Sequence, residues 1–195
     1  MNKTDVIAFF DRCAPFWDED TVRNESVIIE ILDRGGICAG SDVLDVACGT
    51  GVLFPDYLKR DIKSLTAIDI SPQMVKIAKD KYPGVRIICG DVETYPFTEK
   101  FDAVMVHNAF PHFPDPQELI RILSTLLKAG GRLSVAHSLS RAALLEHHSG
   151  AASTVSLELP TENELASLFA PYLDVDVMIS NNQMYMVSGT KKALQ

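Results

Sequence analysis

The chain has 195 residues, 47% of them apolar and 23% charged, which is enough apolar content for one full core and too much for a disordered segment. Its formal net charge of -8 would repel a phosphate backbone, and no basic cluster longer than Lys191–Lys192 offsets it, so nucleic acid is not an expected partner. With no apolar run of membrane-spanning length, no signal-peptide core at the amino terminus, and Cys13, Cys38, Cys48 and Cys89 lacking CxxC spacing or disulfide density, the expectation is a cytoplasmic single domain over 1–195 with reduced thiols and no membrane partner.

In chain order, "VIAFFDRCAPFWDED" and "VRNESVIIEILDRGG" read as two helices, and 1–40 is expected to form a helical cap over the upper edge of a sheet. Apolar runs at 42–47, 64–69, 85–90, 101–107 and 132–138 then alternate with helical patterns, the signature of a largely parallel sheet covered on both faces. Ser71 and Pro72 open one helix; Asp115, Pro116 and Glu118 open another, which Gly130–Gly131 should close. The stretch 137–160 is too short for a separate substrate domain and is expected to act as a lid or substrate segment. Thr161 and Glu164 cap a last helix, after which "VDVMIS" and "MYMVSG" flank the turn Asn181–Asn182–Gln183. The expected fold is α/β, Rossmann-like and doubly wound: a seven-stranded, mostly parallel sheet with an antiparallel C-terminal edge hairpin.

Ligands of such sheets bind outside the carboxyl ends of the strands. The turn after the first strand, "LDVACGTG", carries Gly49 and Gly51, which let the backbone approach a ligand closely, while the third glycine of a dinucleotide fingerprint is absent. Asp69 ends the second strand, 18 residues beyond Gly51, where a carboxylate can accept both hydroxyls of a ribose; Asp91 follows the third, where it could take an exocyclic amine.

At this point the chain resembles the class I S-adenosylmethionine-dependent methyltransferases, in the UbiE-like small-molecule branch. The stretches "VLDVACGTG", "AIDISPQMV", "GDVETYPF", "FDAVMVHNAF" and "LLKAGGRL" arrive in that family's order across 43–133. The resemblance implies that Asp45, Gly49 and Gly51 surround the methionine part of the cofactor and that Asp69 holds the ribose, with Ala47 and Ile70 also among the cofactor-binding residues. It also implies that Met74, Asp91 and Val92 border the adenine and that His107 and Asn108 lie by the methionyl end. "FFDRCAPFWDE" is similar to the family's capping helix, with Trp17 where tyrosine is usual.

Methyl transfer is an in-line displacement, in which a base is needed only when the acceptor must lose a proton. His107 and His137 end neighbouring strands, His112 follows in "NAFPHF", and His148 lies two turns after Arg141 on "RAALLEHH". One expectation makes His107, His137, Arg141 and His148 the catalytic group, with a histidine as general base. A second gathers His107, His112, His137 and His148 around a divalent metal such as zinc, either to assist transfer or to make a metal-binding module. A nicotinamide-dependent oxidoreductase is the remaining rival and is disfavoured by the glycine pattern. The leading expectation is methyl transfer from S-adenosylmethionine to a small molecule; the sequence specifies neither the acceptor atom nor the oligomeric state.

Overall fold

A computed structural model of the chain describes residues 2–20, 23–148 and 154–192, with 20, 147 and 148 described by their backbone alone. Seven strands form one sheet: β1 (Asp42–Val46), β2 (Ser64–Asp69), β3 (Arg86–Cys89), β4 (Phe101–His107), β5 (Leu127–His137), β6 (Leu173–Ser180) and β7 (Tyr185–Lys191), in the order β3-β2-β1-β4-β5-β7-β6. The first five run parallel. The hairpin's return strand, β7, inserts between β5 and β6 and is antiparallel to both.

The buried strands alternate between two cores. On β4, Val104 and Val106 join one apolar cluster with Leu133, Val135 and Tyr185, while Ala103 and Met105 join another with Ala136 and Met186. This parity is what later decides which histidines can meet.

Helices α1 (Lys3–Cys13), α2 (Trp17–Asp20) and α3 (Glu25–Arg34) precede the sheet, with a single 3-10 turn at Ala14–Phe16 breaking the first predicted helix at Pro15. Between strands lie α4 (Phe54–Leu58), α5 (Pro72–Lys81) and α6 (Pro116–Leu126), and after β5 come α7 (Arg141–His148) and α8 (Glu162–Phe169). The start signals work as read. Ser71 Oγ accepts the Met74 amide at 3.1 Å, Asp115 Oδ1 accepts that of Glu118 at 2.9 Å, and Thr161 and Glu164 form a complete capping box.

One boundary differs from the sequence expectation. Helix α6 stops at Leu126 and β5 begins at once, so Gly130 and Gly131 serve a β-bulge instead of closing the helix. The register jumps from Phe101 opposite Leu127 to Ala103 opposite Arg132. Gly130 sits at φ +72°, and a Cβ on Gly131 would lie 2.9 Å from the Phe101 carbonyl oxygen, so the bulge needs both glycines. Among the described residues no helix is long and apolar enough to cross a membrane.

Candidate active site

The strand order reverses between β1 and β4, and a cavity opens at their carboxyl ends, where an open α/β sheet leaves room for a ligand. It encloses about 1160 Å³ of empty space including its mouth. Its floor is the turn after β1, where Ala47, Gly49 and Gly51 all adopt positive φ (55°, 55° and 85°). Gly51 does not line the cavity; it is required because a Cβ there would lie 2.7 Å from the Phe54 ring. Gly49 does line it, beneath the indole of Trp17, whose Nε1 would be 3.7 Å from a Cβ at 49.

Asp69 ties this turn to the next helix. Its Oδ2 accepts the Gly49 amide and its Oδ1 the Ser71 amide, both at 2.8 Å, so the carboxylate is fixed in direction although only 8% exposed. Burial raises its pKa to about 6 against the opposing pull of those two amides. Asp45, also buried on the cavity floor, is pushed well above the carboxylate range by burial and then by the charge of Asp69. Two desolvated acids on one wall make a site that favours hydroxyl donors and positive charge.

The cap closes over this floor through polar contacts to the rim. Lys3 Nζ reaches Asp91 Oδ2 at 2.5 Å and also pairs with Glu93. Asp11 accepts from Ser71 Oγ at 2.6 Å, and Asp18 accepts from Thr50 Oγ1 at 2.6 Å and pairs with Lys81 at 2.7 Å. Arg23 donates to the Val52 carbonyl and pairs with Asp56 at 2.7 Å, with its side chain at the cavity wall. Phe10 bridges Trp17 and His112 by edge-to-face contacts, with centroids 5.6 and 4.8 Å apart.

His107 and His137 do not converge. Because His107 stands opposite Ala136, adjacent His137 projects from the other face of the sheet, against Tyr185 at 6.1 Å between ring centroids. His107 lines the cavity, and its Nε2 lies 2.9 Å from Ser138 Oγ, which also accepts from the Asn108 side-chain amide at 3.2 Å. Burial holds the His107 pKa down to about 4, and the charge of Arg23 adds to this, so the ring is neutral at pH 7. His112 also lines the cavity, with Nδ1 2.8 Å from the Val155 carbonyl oxygen.

His137 and Arg141 do not line the cavity. Arg141 instead donates to the carbonyls of Leu159 (2.9 Å) and Pro160 (3.3 Å) and pairs with Glu158 at 3.0 Å, which pins the segment before α8. The expected catalytic group of His107, His137 and Arg141 is therefore split across the sheet, and the His148 side chain lies outside the described residues. The same parity takes His137 out of the expected metal set of His107, His112, His137 and His148, the His148 side chain lies outside the described residues, and among the described residues no group of three or more His, Cys, Asp or Glu could hold a metal ion.

The family described as a methyltransferase domain matches residues 44–135. A demethylmenaquinone methyltransferase of Renibacterium salmoninarum is 31% identical over 141 residues, covering 68% of this chain and 58% of the relative. A ubiquinone biosynthesis O-methyltransferase of Chromobacterium violaceum is 30% identical over 142 residues, covering 67% of this chain and 61% of the relative. The chain belongs to the class I S-adenosylmethionine-dependent methyltransferases, in their UbiE-like branch.

The fold of this methyltransferase-family chain is shared with the N-methyltransferase NodS of Bradyrhizobium japonicum, at a TM-score of 0.76 and 15% identity, over 96% of this chain and 98% of that one. The chain spans about three fifths of the length of those two curated relatives, 58% and 61%.

Of the residues that the family resemblance assigned to the cofactor, Asp45, Ala47, Gly49, Asp69, Ile70, Met74, Asp91, Val92, His107 and Asn108 all line the one cavity, and only Gly51 stands behind it. Sequence reasoning missed Lys3, Phe10, Arg23 and Ser138, which line it too. Lone charges in an exposed helical cap carry no local signature. Ser138 was legible as the residue after a strand-end histidine, and parity explains why it, rather than His137, turns toward the cavity.

Proposed function

We propose that the protein transfers a methyl group from S-adenosylmethionine to a small-molecule acceptor held between the 1–40 cap, the ends of β4 and β5, and the 137–160 segment. The observation that carries this reading is Asp69: a buried carboxylate at the cavity wall, aimed by two backbone amides and with lone pairs left for a pair of ribose hydroxyls.

The donor set fits the cofactor. Asp45 and Asp69 favour a ligand carrying a sulfonium and an ammonium, and Met74, Ile70 and Val92 offer an apolar slot for adenine, with Asp91 at its edge. Arg23 is the guanidinium on the methionyl side of the wall and suits the ligand's carboxylate. When bound, S-adenosylmethionine supplies an electrophilic methyl carbon. The chain's own part is then to orient the acceptor, exclude water with the Phe10–Trp17 roof, and accept a proton where one is released.

A nicotinamide cofactor is the rival this site must reject. A thermal-shift comparison separates them: S-adenosylhomocysteine should raise the melting temperature in a concentration-dependent way while NAD leaves it unchanged. A shift with NAD and none with S-adenosylhomocysteine would replace the methyltransferase reading.

A further inference from the structure

His107, Asn108 and Ser138 join the ends of β4 and β5, and all three line the cavity. Asn108 takes a left-handed backbone (φ +54°), which asparagine tolerates better than most residues, and its amide donates to the Ala136 carbonyl at 2.9 Å. Its side chain reaches across to the end of β5 and meets Ser138 twice. The Ser138 backbone N–H can only donate, so the Asn108 atom 2.9 Å from it is the carbonyl oxygen Oδ1. Nδ2 is then fixed as a donor, and it donates to Ser138 Oγ at 3.2 Å.

Among the described residues the hydrogen of the Ser138 hydroxyl has one acceptor, His107 Nε2 at 2.9 Å. The ring is neutral at pH 7, so it carries a single proton, on one nitrogen or the other. If Ser138 donates, Nε2 is the bare nitrogen, the ring proton sits on Nδ1, and only that N–H is left for a ligand. If His107 donates instead, Ser138 Oγ takes two hydrogen bonds while its own O–H and the bare Nδ1 are both left unmet. Unmet polar groups beside a buried ring are costly, and an imidazole nitrogen is a better acceptor than a hydroxyl oxygen, so the first arrangement is favoured. Among the described residues Nδ1 has no partner, yet it is not sealed in the core, and the ring lines the cavity, so this N–H faces the ligand space. Arg23 lines the same cavity, and its charge is felt at the His107 ring. A guanidinium and a neutral N–H donor suit an anionic oxygen between them.

We infer that Ser138 is a positioning residue whose hydroxyl holds His107 as the Nδ1–H tautomer, so that His107 donates, together with Arg23, to the carboxylate of the bound cofactor, an inference that rests on the methyltransferase reading above and deepens it. His107 is then a donor and not a general base, since the nitrogen facing the ligand carries a proton and has no lone pair to offer.

The tautomer is read by long-range proton–nitrogen correlation NMR of the full chain with isotope-labelled histidine, at neutral pH and without ligand. The His107 signals are identified by their loss in His107→Phe or His107→Gln. The wild type should show a protonated Nδ1 and a bare Nε2, Ser138→Thr should keep that pattern, and Ser138→Ala should give a mixture of tautomers. A protonated Nε2 in the wild type, or an unchanged pattern in Ser138→Ala, would overturn the positioning role. Calorimetry then compares S-adenosylhomocysteine with its analogue lacking the carboxylate, in which an aminopropyl chain stands in place of the amino-acid chain. His107→Phe should weaken S-adenosylhomocysteine binding by about tenfold and leave the analogue unchanged, which also shows that the variant is folded. Equal losses for the two ligands, or no loss for either, would overturn the carboxylate role. If neither ligand binds the wild type, the cofactor reading falls and the carboxylate role with it, while the tautomer measurement still decides the part played by Ser138.

Discussion

His107 and His137 end neighbouring parallel strands yet face opposite sides of the sheet, because His107 is in register with Ala136. His107 therefore reaches the cavity while His137 packs, 1% exposed, against Tyr185. Replacing His137 by alanine should lower stability by about 1–3 kcal/mol, the usual range for emptying a packed buried site, and leave affinity for S-adenosylhomocysteine unchanged. Chemical denaturation and calorimetry on the same variant check this. A folded variant that no longer binds the ligand would place His137 in the site after all.

Asp69 makes both stability and binding depend on pH, in opposite senses. Its pKa is raised from 3.8 to about 6 in the folded state. Between those values the folded chain holds a proton that the unfolded chain has released, so this group's contribution to stability falls as pH rises through the window and the cost of burying the charge is fully present above it. Binding through ribose hydroxyls needs the ionised form, so affinity for S-adenosylhomocysteine should weaken by about tenfold per pH unit below pH 6. Asp69→Asn should bind weakly and lose the part of the pH dependence centred near pH 6, and calorimetry at several pH values decides the matter.

The two glycines of the turn should respond differently to alanine. At Gly51 (φ +85°) the new methyl would meet the Phe54 ring at 2.7 Å and Tyr82 at 3.0 Å, and a clash combined with left-handed strain is expected to cost about 2–4 kcal/mol. At Gly49 (φ +55°) the methyl meets only Trp17 Nε1, at 3.7 Å, so the expected cost is about 1–2 kcal/mol from the backbone alone. Gly49→Ala should stay folded but bind S-adenosylhomocysteine more weakly, since the methyl narrows the gap between floor and roof. Equal melting temperatures for the two variants would contradict this assignment.

Arg23 offers a way to divide the ligand. If its guanidinium holds the carboxylate of the cofactor, Arg23→Gln should weaken S-adenosylhomocysteine binding by about tenfold, the order expected for one charge-assisted contact, and leave adenosine affinity unchanged. Equal losses for both ligands would mean that Arg23 acts by holding the cap through Val52 and Asp56.

Much of this was legible in the sequence because the cofactor cavity is built from strand ends, and strand ends follow from apolar runs punctuated by turn residues. Asp69 and Asp91 could be placed in that way from the sequence alone, and Asp45 through the family resemblance. The histidines could not, since facing depends on the register between β4 and β5, and a bulge at Gly130–Gly131 lies between the helix signal and the strand. Arg141 looked catalytic through its helical spacing to His148, but spacing along a helix says nothing of the carbonyls of Leu159 and Pro160 that arrive from later in the chain. His112 stood in the expected metal set; the Val155 carbonyl beside its Nδ1 comes from later in the chain and has no signal near His112 in the sequence.

The most direct test of the central claim is calorimetric titration of the wild-type protein and Asp69→Ala with S-adenosylhomocysteine at neutral pH. One-to-one binding near the micromolar range is expected in the wild type, with at least a tenfold weaker constant in a variant that remains folded. Absence of binding in the wild type, or equal affinities in the two proteins, would contradict it.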